Sequence, residues 1–298
     1  MPRTARGPKI QMALAFFAIY VLWGCTFLAI RIAVEHIPPL QAAGIRFFIA
    51  GAVLCVWARW RSAPKPTLAE WRNLAVLGIL MFLATYSALF WAEQRIPSGV
   101  AAVLVATLPI WTASLEVFAF RQERASLPLF AAIGLGFSGI ALLTSSSQNG
   151  RLALVPCLAI LGGEMCWALG SVLSRSIRLP QSRSLTAGSE MLIGGIALLI
   201  CSLLAGERVT SGKIPFQAVL ALAYLVVAGS LLGFTAFVWL LERVPATQVS
   251  THAYVNPVVA LALGVWLGGE QIGWRTFAAS ALILASVVAI LRSRPCQR

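Results

Sequence analysis

The sequence predicts an all-α membrane protein: ten transmembrane helices built as two inverted five-helix repeats, with both termini cytoplasmic. Three observations predict it. The 298 residues are 59% apolar and 11% charged, with mean hydropathy +0.85, whereas a soluble domain carries about 25% charged residues. Ten apolar stretches are long enough for a hydrocarbon core of about 30 Å. Laid over itself with a shift of about half its length, the chain also repeats.

The repeat is visible residue by residue. Trp23, Arg31, Gly44 and Gly51 fall on Trp167, Arg175, Gly188 and Gly195 at a shift of 144. Trp91, Arg95, Pro97 and Pro109 fall on Trp239, Arg243, Pro245 and Pro257 at 148, and Glu123 and Phe130 on Glu270 and Phe277 at 147. The halves are 1–148 and 149–298, each with five spans. An odd number of crossings makes the second copy enter the bilayer from the opposite side, and inverted repeats characterise transporters.

Span 1 (12–34) follows Arg3, Arg6 and Lys9 and imitates a signal peptide. Its apolar run is too long for one, and no small-x-small cleavage site precedes Arg31, so it is expected to be retained. Span 2 (40–58) starts after Pro38 and ends at Arg59 and Arg61; span 3 (73–92) follows Arg72; span 4 (98–120) opens after Pro97 and contains Pro109. Span 5 (126–144) carries Gly134, Gly136 and Gly139, a small-residue packing face. The second copy supplies spans 6 (152–174), 7 (185–205), 8 (216–241), 9 (247–268) and 10 (273–291), with Pro257 in the place of Pro109.

Most of the 23 basic residues fall on one side of this scheme, in the N-terminus, the loops carrying Arg59 to Arg72, Arg121 to Arg124 and Arg175 to Arg183, and the C-terminus. By the positive-inside rule that side is the cytoplasm. The +13 charge is thus a topology signal, and no nucleic-acid partner is expected. The six cysteines form no C-x-x-C or Cys/His cluster; they read as apolar fillers, with no disulfide, metal or cofactor expected.

Polar groups at membrane depth are costly and need partners or a function. The chain has no Asp, and seven of its Glu residues, including Glu93, Glu207 and Glu270, fall at predicted loops. Glu116, Glu164, Glu190, Arg46 and His252 remain inside spans. Glu116 is expected to snorkel or pair with Arg121. Arg46 and Glu190, equivalent in the two copies, are expected near opposite faces, each at one mouth of a cavity, with Arg46 a candidate contact for a substrate carboxylate. Glu164, Trp167 and Ser171 recur at i, i+3, i+7, a stripe that must face the interior. Glu164 there binds an ammonium group, carries a proton, or makes a structural hydrogen bond. Its repeat mate is Tyr20, beside Trp23.

His252 and Asn256 lie one turn apart just before Pro257. Pro109 and Pro257 deprive the carbonyls of Val105 and Ala253 of helical partners, which is tolerated where carbonyls line a cavity. Paired kinks in two halves are a pointer to a binding site. Trp23, Tyr86, Trp111, Trp167, Phe234 and Tyr254 also lie at span interiors, where they either pack or stack against a flat solute. The candidate substrate-binding residues are therefore Trp23, Arg46, Tyr86, Glu164, Trp167, His252 and Asn256, with Pro109 and Pro257 as kinks or gates. The cavity is expected between spans 1, 3, 4, 6, 8 and 9, with 5 and 10 peripheral and Trp167 and His252 on opposite walls.

The ordered motifs Trp23-Gly24-x-x-Phe27, Arg46-Phe47-x-x-Ala50-Gly51, Gly99-Val100-Ala101-Ala102, Arg121-Gln122-Glu123, Asn256-Pro257-Val258 and Gly268-Gly269-Glu270 cover nearly the whole chain twice over. It resembles the drug/metabolite transporter superfamily in its ten-span EamA-type branch. The resemblance implies a metabolite permease of the bacterial inner membrane, usually an exporter, working on a small-molecule substrate as a monomer or homodimer in the lipid bilayer. Within the branch the chain is most similar to aromatic-amino-acid exporters. Small four-span relatives use a span-1 glutamate for proton exchange, and span 1 here has none in its interior. Facilitated export is accordingly the first reading, and a proton-coupled multidrug or metabolite exporter using Glu164 or His252 the second. A nucleotide-sugar permease would carry Lys or Arg deeper in its spans. The rival from another class is an intramembrane serine protease, from the G-x-S-G match at Gly136–Gly139 with His252 as base; an inverted five-span repeat gives such an enzyme nothing it needs.

Overall fold

A computed structural model describes residues 7–120, 126–145, 154–209, 214–241, 243–244, 249, 251–271 and 273–293. Among them there is no strand, and ten helices follow one another: α1 (Ile10–Val34), α2 (Pro39–Trp60), α3 (Leu68–Glu93), α4 (Ser98–Ala119), α5 (Leu127–Ser145), α6 (Leu154–Ser174), α7 (Arg183–Leu204), α8 (Phe216–Phe237), α9 (His252–Trp266) and α10 (Trp274–Ser293). Seven of these, α1 to α4 and α6 to α8, are long and apolar enough to cross a membrane. The apolar segments of α5, α9 and α10 are shorter.

The helix ends follow local chemistry. Pro39 occupies the first turn of α2, where its fixed φ suits a helix and its missing N–H is not needed. Thr67 and Glu70 form a reciprocal capping box at the start of α3, and the Ser182 hydroxyl accepts from the Leu185 N–H at α7. Gly206, at φ +66°, turns the chain out of α7. The Glu207 carboxylate that follows accepts from the N–H groups of Leu40 and Gln41 at 3.3 and 3.1 Å. It thereby caps α2 from the other half of the molecule, so Glu207 is a structural cross-link.

The halves meet where α2 and α7 run antiparallel, with glycines at the crossing. A methyl group at Gly51 would strike the Leu192 backbone, and one at Gly195 would strike the Phe48 backbone. These two contacts are repeat mates, as are Gly44 against Leu199 and Gly188 against Cys55. The exchange is that of a pseudo-two-fold axis, and small residues are what allow two membrane helices such an approach. The α5 and α10 pair obeys the same symmetry, through Gly136 beside Ser286 and Gly139 beside Ile283 and Ala279. Gly134, expected on that face, has nothing within 4 Å. Elsewhere α1 packs on α8 and α9 as α6 packs on α3 and α4.

Several helices depart from α geometry. α3 is π-helical over Gly78–Ala84 and α8 over Leu225–Leu232, equivalent stretches at the 148 shift; shorter ones occur at Ala18–Leu22 and Leu115–Ala119. Such i→i+5 stretches concentrate at functional sites. α4 is interrupted between Val105 and Leu108, just ahead of Pro109, where the Thr107 hydroxyl donates to the Leu104 carbonyl at 2.6 Å. Pro257 behaves differently from Pro109: it lies inside the continuous helix α9.

Because the Gly51 and Gly195 contacts are with backbone, which cannot step aside, Gly51→Ala and Gly195→Ala are each expected to destabilise the protein by about 1–3 kcal/mol. Gly134→Ala is expected to leave the thermal midpoint of detergent-solubilised protein unchanged. Equal midpoints for all three variants would contradict the α2–α7 contact.

Candidate functional site

One cavity of about 510 Å³ lies between the halves. α1, α3, α4, α6, α8 and α9 line it as the sequence predicts, but α2 contributes Arg46 and Phe47 and α7 contributes Glu190 and Met191. The expectation that α2 and α7 stay out of the lining is corrected, and the glycine crossing is the reason: it draws both helices to the central axis. α5 and α10 contribute nothing to the lining.

All seven candidate side chains, Trp23, Arg46, Tyr86, Glu164, Trp167, His252 and Asn256, border this space, as do Pro109 and Ser171. Pro257 does not border it, nor does Trp111. Trp111 turns toward α5, stacking edge-on against Phe137 at 5.5 Å and donating to the Thr107 hydroxyl at 3.1 Å. Nothing is described for the Tyr254 side chain.

The aromatic residues form two walls. In the first, Phe47, Phe82, Tyr86 and Trp167 contact one another, with Phe47 to Tyr86 at 4.3 Å and Tyr86 to Trp167 at 5.9 Å between ring centroids. In the second, Trp23 meets Phe237 at 5.4 Å and the His252 imidazole edge-on at 5.0 Å. The Trp23 indole N–H donates to the Gly229 carbonyl at 2.8 Å, inside the π-helical stretch of α8, which fixes the ring against the cavity. His252 is half-committed: buried Nδ1 has no hydrogen-bond partner. Asn256, with its amide oriented to suit its surroundings, donates to the carbonyls of Ile19 and Tyr20 at 3.0 Å and of His252 at 3.2 Å. It ties α9 to the π-helical stretch of α1.

Arg46 sits deep rather than at a mouth. Its Nε donates to the Ser230 hydroxyl at 3.0 Å, and its guanidinium lies 4.7 Å from the Phe47 ring centroid and 5.4 Å from that of Tyr86. Its Nη1 is buried and unbonded. Arg46 and Glu190 face the same cavity, not opposite mouths, again because α2 and α7 cross at the axis. Glu164 is buried, and among the described residues no ion pair joins Arg46, Glu164 or Glu190.

The two ends of α4 differ. At its C-terminal end Arg175 pairs with the buried Glu116 at 2.6 Å while remaining 60% exposed and lining the cavity, which therefore reaches the surface there. Arg121, the expected partner of Glu116, lies outside the described residues. At the N-terminal end Glu270 is 8% exposed; it accepts from Ser98 N–H and Oγ–H at 2.7 Å and from Gly99 N–H at 3.2 Å, and lies 3.7 Å from Arg31. Arg31 in turn donates to the Ile96 carbonyl at 3.1 Å. Glu93 is beside this cluster at 1% exposure with neither oxygen bonded. The loop assignment of Glu93 and Glu270 is thus corrected; both are enclosed. A reachable signal was the fall of Glu123 on Glu270 in the repeat.

Ser138 is exposed and donates to the Gly134 carbonyl at 2.9 Å, on a helix that does not line the cavity, whereas His252 does line it. The two cannot form a catalytic dyad.

The EamA-like transporter family model matches residues 10–145 and again 154–292. The chain belongs to that family. It is 37% identical over 282 residues to the uncharacterized inner membrane transporter YedA of Escherichia coli K12, covering 93% of this chain and 89% of that one. A probable amino-acid metabolite efflux pump of Salmonella typhimurium LT2 is 27% identical over 279 residues, with 90% and 91% covered. A protein of known crystal structure, 22% identical, superposes with TM-score 0.64 over 93% of this chain and 95% of that one, a likeness of fold. The family member described here is a multi-pass transporter of the bacterial inner membrane.

Removing the Glu270 carboxylate strands two backbone N–H groups and leaves Arg31 without its counter-charge. Glu270→Ala is expected to cost about 3 kcal/mol or more, whereas Glu35→Ala, which breaks an exposed pair with Arg31 at 3.9 Å, costs less than about 1 kcal/mol. Thermal unfolding in detergent compares them; similar losses would contradict the cluster.

Proposed function

We propose that this transporter exports amino acids with aromatic or other apolar side chains by alternating access, driven by the solute's own gradient. One observation carries the reading: a buried guanidinium with an open Nη1, a buried carboxylate without a partner and two aromatic walls enclose a single space. A zwitterionic amino acid matches each of them. Its carboxylate meets Arg46, its ammonium group Glu164, and its side chain the Tyr86–Trp167 wall or the Trp23 wall opposite, where His252 offers a polar anchor. The volume is within the range of about 300–1,000 Å³ usual for small-molecule sites. The name of the Salmonella relative, an amino-acid metabolite efflux pump, agrees with both the substrate class and the outward direction.

In this reading the halves 1–148 and 149–298 are inverted repeats, all ten helices cross the bilayer, and both termini are cytoplasmic. The antiparallel, two-fold contact of α2 with α7 and the bias of basic residues support it. The break before Pro109 serves as a hinge, and the cavity is complete within one chain.

Counterflow in proteoliposomes tests the reading with a panel of labelled tryptophan, phenylalanine, leucine, a nucleotide sugar and an organic cation. Trp167→Ala is expected to remove about 1 kcal/mol of stacking, weakening the apparent affinity for tryptophan about fivefold relative to leucine. Arg46→Gln is expected to weaken all amino acids by tenfold or more, and His252→Ala to weaken all of them alike. Unaltered selectivity in Trp167→Ala and unaltered rate in Arg46→Gln would place the substrate elsewhere. Reporter fusions that put the C-terminus outside would overturn the topology.

A further inference from the structure

The cavity contains one carboxylate more than a zwitterion uses. Glu190 lines it from α7 and is more than nine-tenths buried. The ionisable groups sharing this space are Arg46 of α2, Tyr86 of α3, Glu164 and Arg175 of α6 and His252 of α9; Cys55 of α2 reaches only the neighbouring Ser189, at 3.7 Å. Arg175 is taken by Glu116 at 2.6 Å. Among the described residues, none of these groups forms an ion pair with Glu190. Apart from the Arg175–Glu116 pair, then, the cavity holds one permanent cation, Arg46, and two carboxyl groups with no fixed partner. Glu93 does not line the cavity and keeps one protonation state throughout.

A transporter presents the cavity to each side of the membrane twice per cycle, once loaded and once empty. An uncompensated charge buried in apolar surroundings costs several kcal/mol, so both forms must be close to neutral while the cavity is closed. Whatever the number of protons on Glu164 and Glu190 in the empty form, that number must fall on loading by the net charge of the solute. A zwitterion brings no net charge and displaces no proton. A solute with a second ammonium group displaces one.

We propose that Glu190 is a binding site for a second cationic group, so that the cavity exchanges a diamino acid for one proton but carries a neutral amino acid with none. The inference rests on the amino-acid reading above. The exchange balances: as the second ammonium group arrives, the Glu190 carboxylic O–H gives its proton to water at the open mouth by Arg175. Glu190 takes a proton from the opposite side after release, so one positive charge moves each way. Facilitated and proton-coupled transport are then two behaviours of one site, selected by the charge of the solute.

The test uses full-length protein in proteoliposomes with a trapped pH dye, labelled phenylalanine and labelled 4-(aminomethyl)phenylalanine. The expected result is one proton moved per diamino acid and none per phenylalanine, with a pH difference of one unit sustaining about a tenfold gradient of the diamino acid alone. Glu190→Gln is expected to abolish the proton movement and make diamino-acid uptake respond to membrane potential. If that variant fails to fold, the two wild-type solutes decide the matter. A proton moving with phenylalanine, exclusion of the diamino acid, or its passage without a proton would overturn the inference while leaving the amino-acid reading intact. Absence of phenylalanine counterflow would instead remove that reading and the inference with it.

Discussion

The contact of the α2 backbone with that of α7 is the constraint on which the remaining geometry depends. In a membrane, helices gain little by burying apolar side chains against each other, because lipid is equally apolar; close approach through small residues supplies dispersion contacts instead. Gly44, Gly51, Gly188 and Gly195 provide that approach in two symmetry-related pairs. Arg46 lies between the first two glycines in sequence and Glu190 between the second two, so the crossing that joins the halves also brings these two charged residues to the axis. Bulkier residues at those four positions would separate the helices and leave Arg46 and Glu190 on separate faces.

Polar groups are distributed in two ways along α4. At the Ser98 end every strong donor around Glu270 has an acceptor, and the cluster joins α1, the start of α4 and the loop after α9. Inside the cavity the opposite holds: Arg46 Nη1 and His252 Nδ1 are buried without partners. Unsatisfied polar groups of this kind cost stability, and a protein retains them where a ligand completes their bonding. The contrast between a satisfied end and an unsatisfied centre separates scaffold from site without reference to any relative.

Features that repeat with a fixed period were legible in the sequence. The 144 and 148 shifts, the stripe of Glu164, Trp167 and Ser171, and the His252–Asn256 spacing all point to residues that share the cavity. What was not legible depends on which helix stands next to which. Period says that Trp111 faces protein but not that its neighbour is Phe137, and hydropathy puts Glu93 and Glu270 at span ends without revealing that three other segments close over them. Asn256 was read as a substrate contact because it is polar and deep; its amide nitrogen instead holds α1. Proline was likewise an incomplete guide, since the chain breaks before Pro109 and runs on through Pro257.

The matched π-helical stretches of α3 and α8 carry a consequence for how this chain tolerates change in length. A π stretch accommodates an additional residue per turn, so it is the mark of an insertion absorbed without lengthening the helix. Both halves carry it at the same place, over Gly78–Ala84 and Leu225–Leu232, as expected if the insertion preceded the duplication that made two halves from one. Deleting one residue from Gly78–Ala84 would let α3 relax to regular α geometry. The rest of the helix would then turn by about 100°, carrying Tyr86 away from Trp167 and opening one aromatic wall. In these two helices the orientation of the lining is encoded in residue number as much as in residue type.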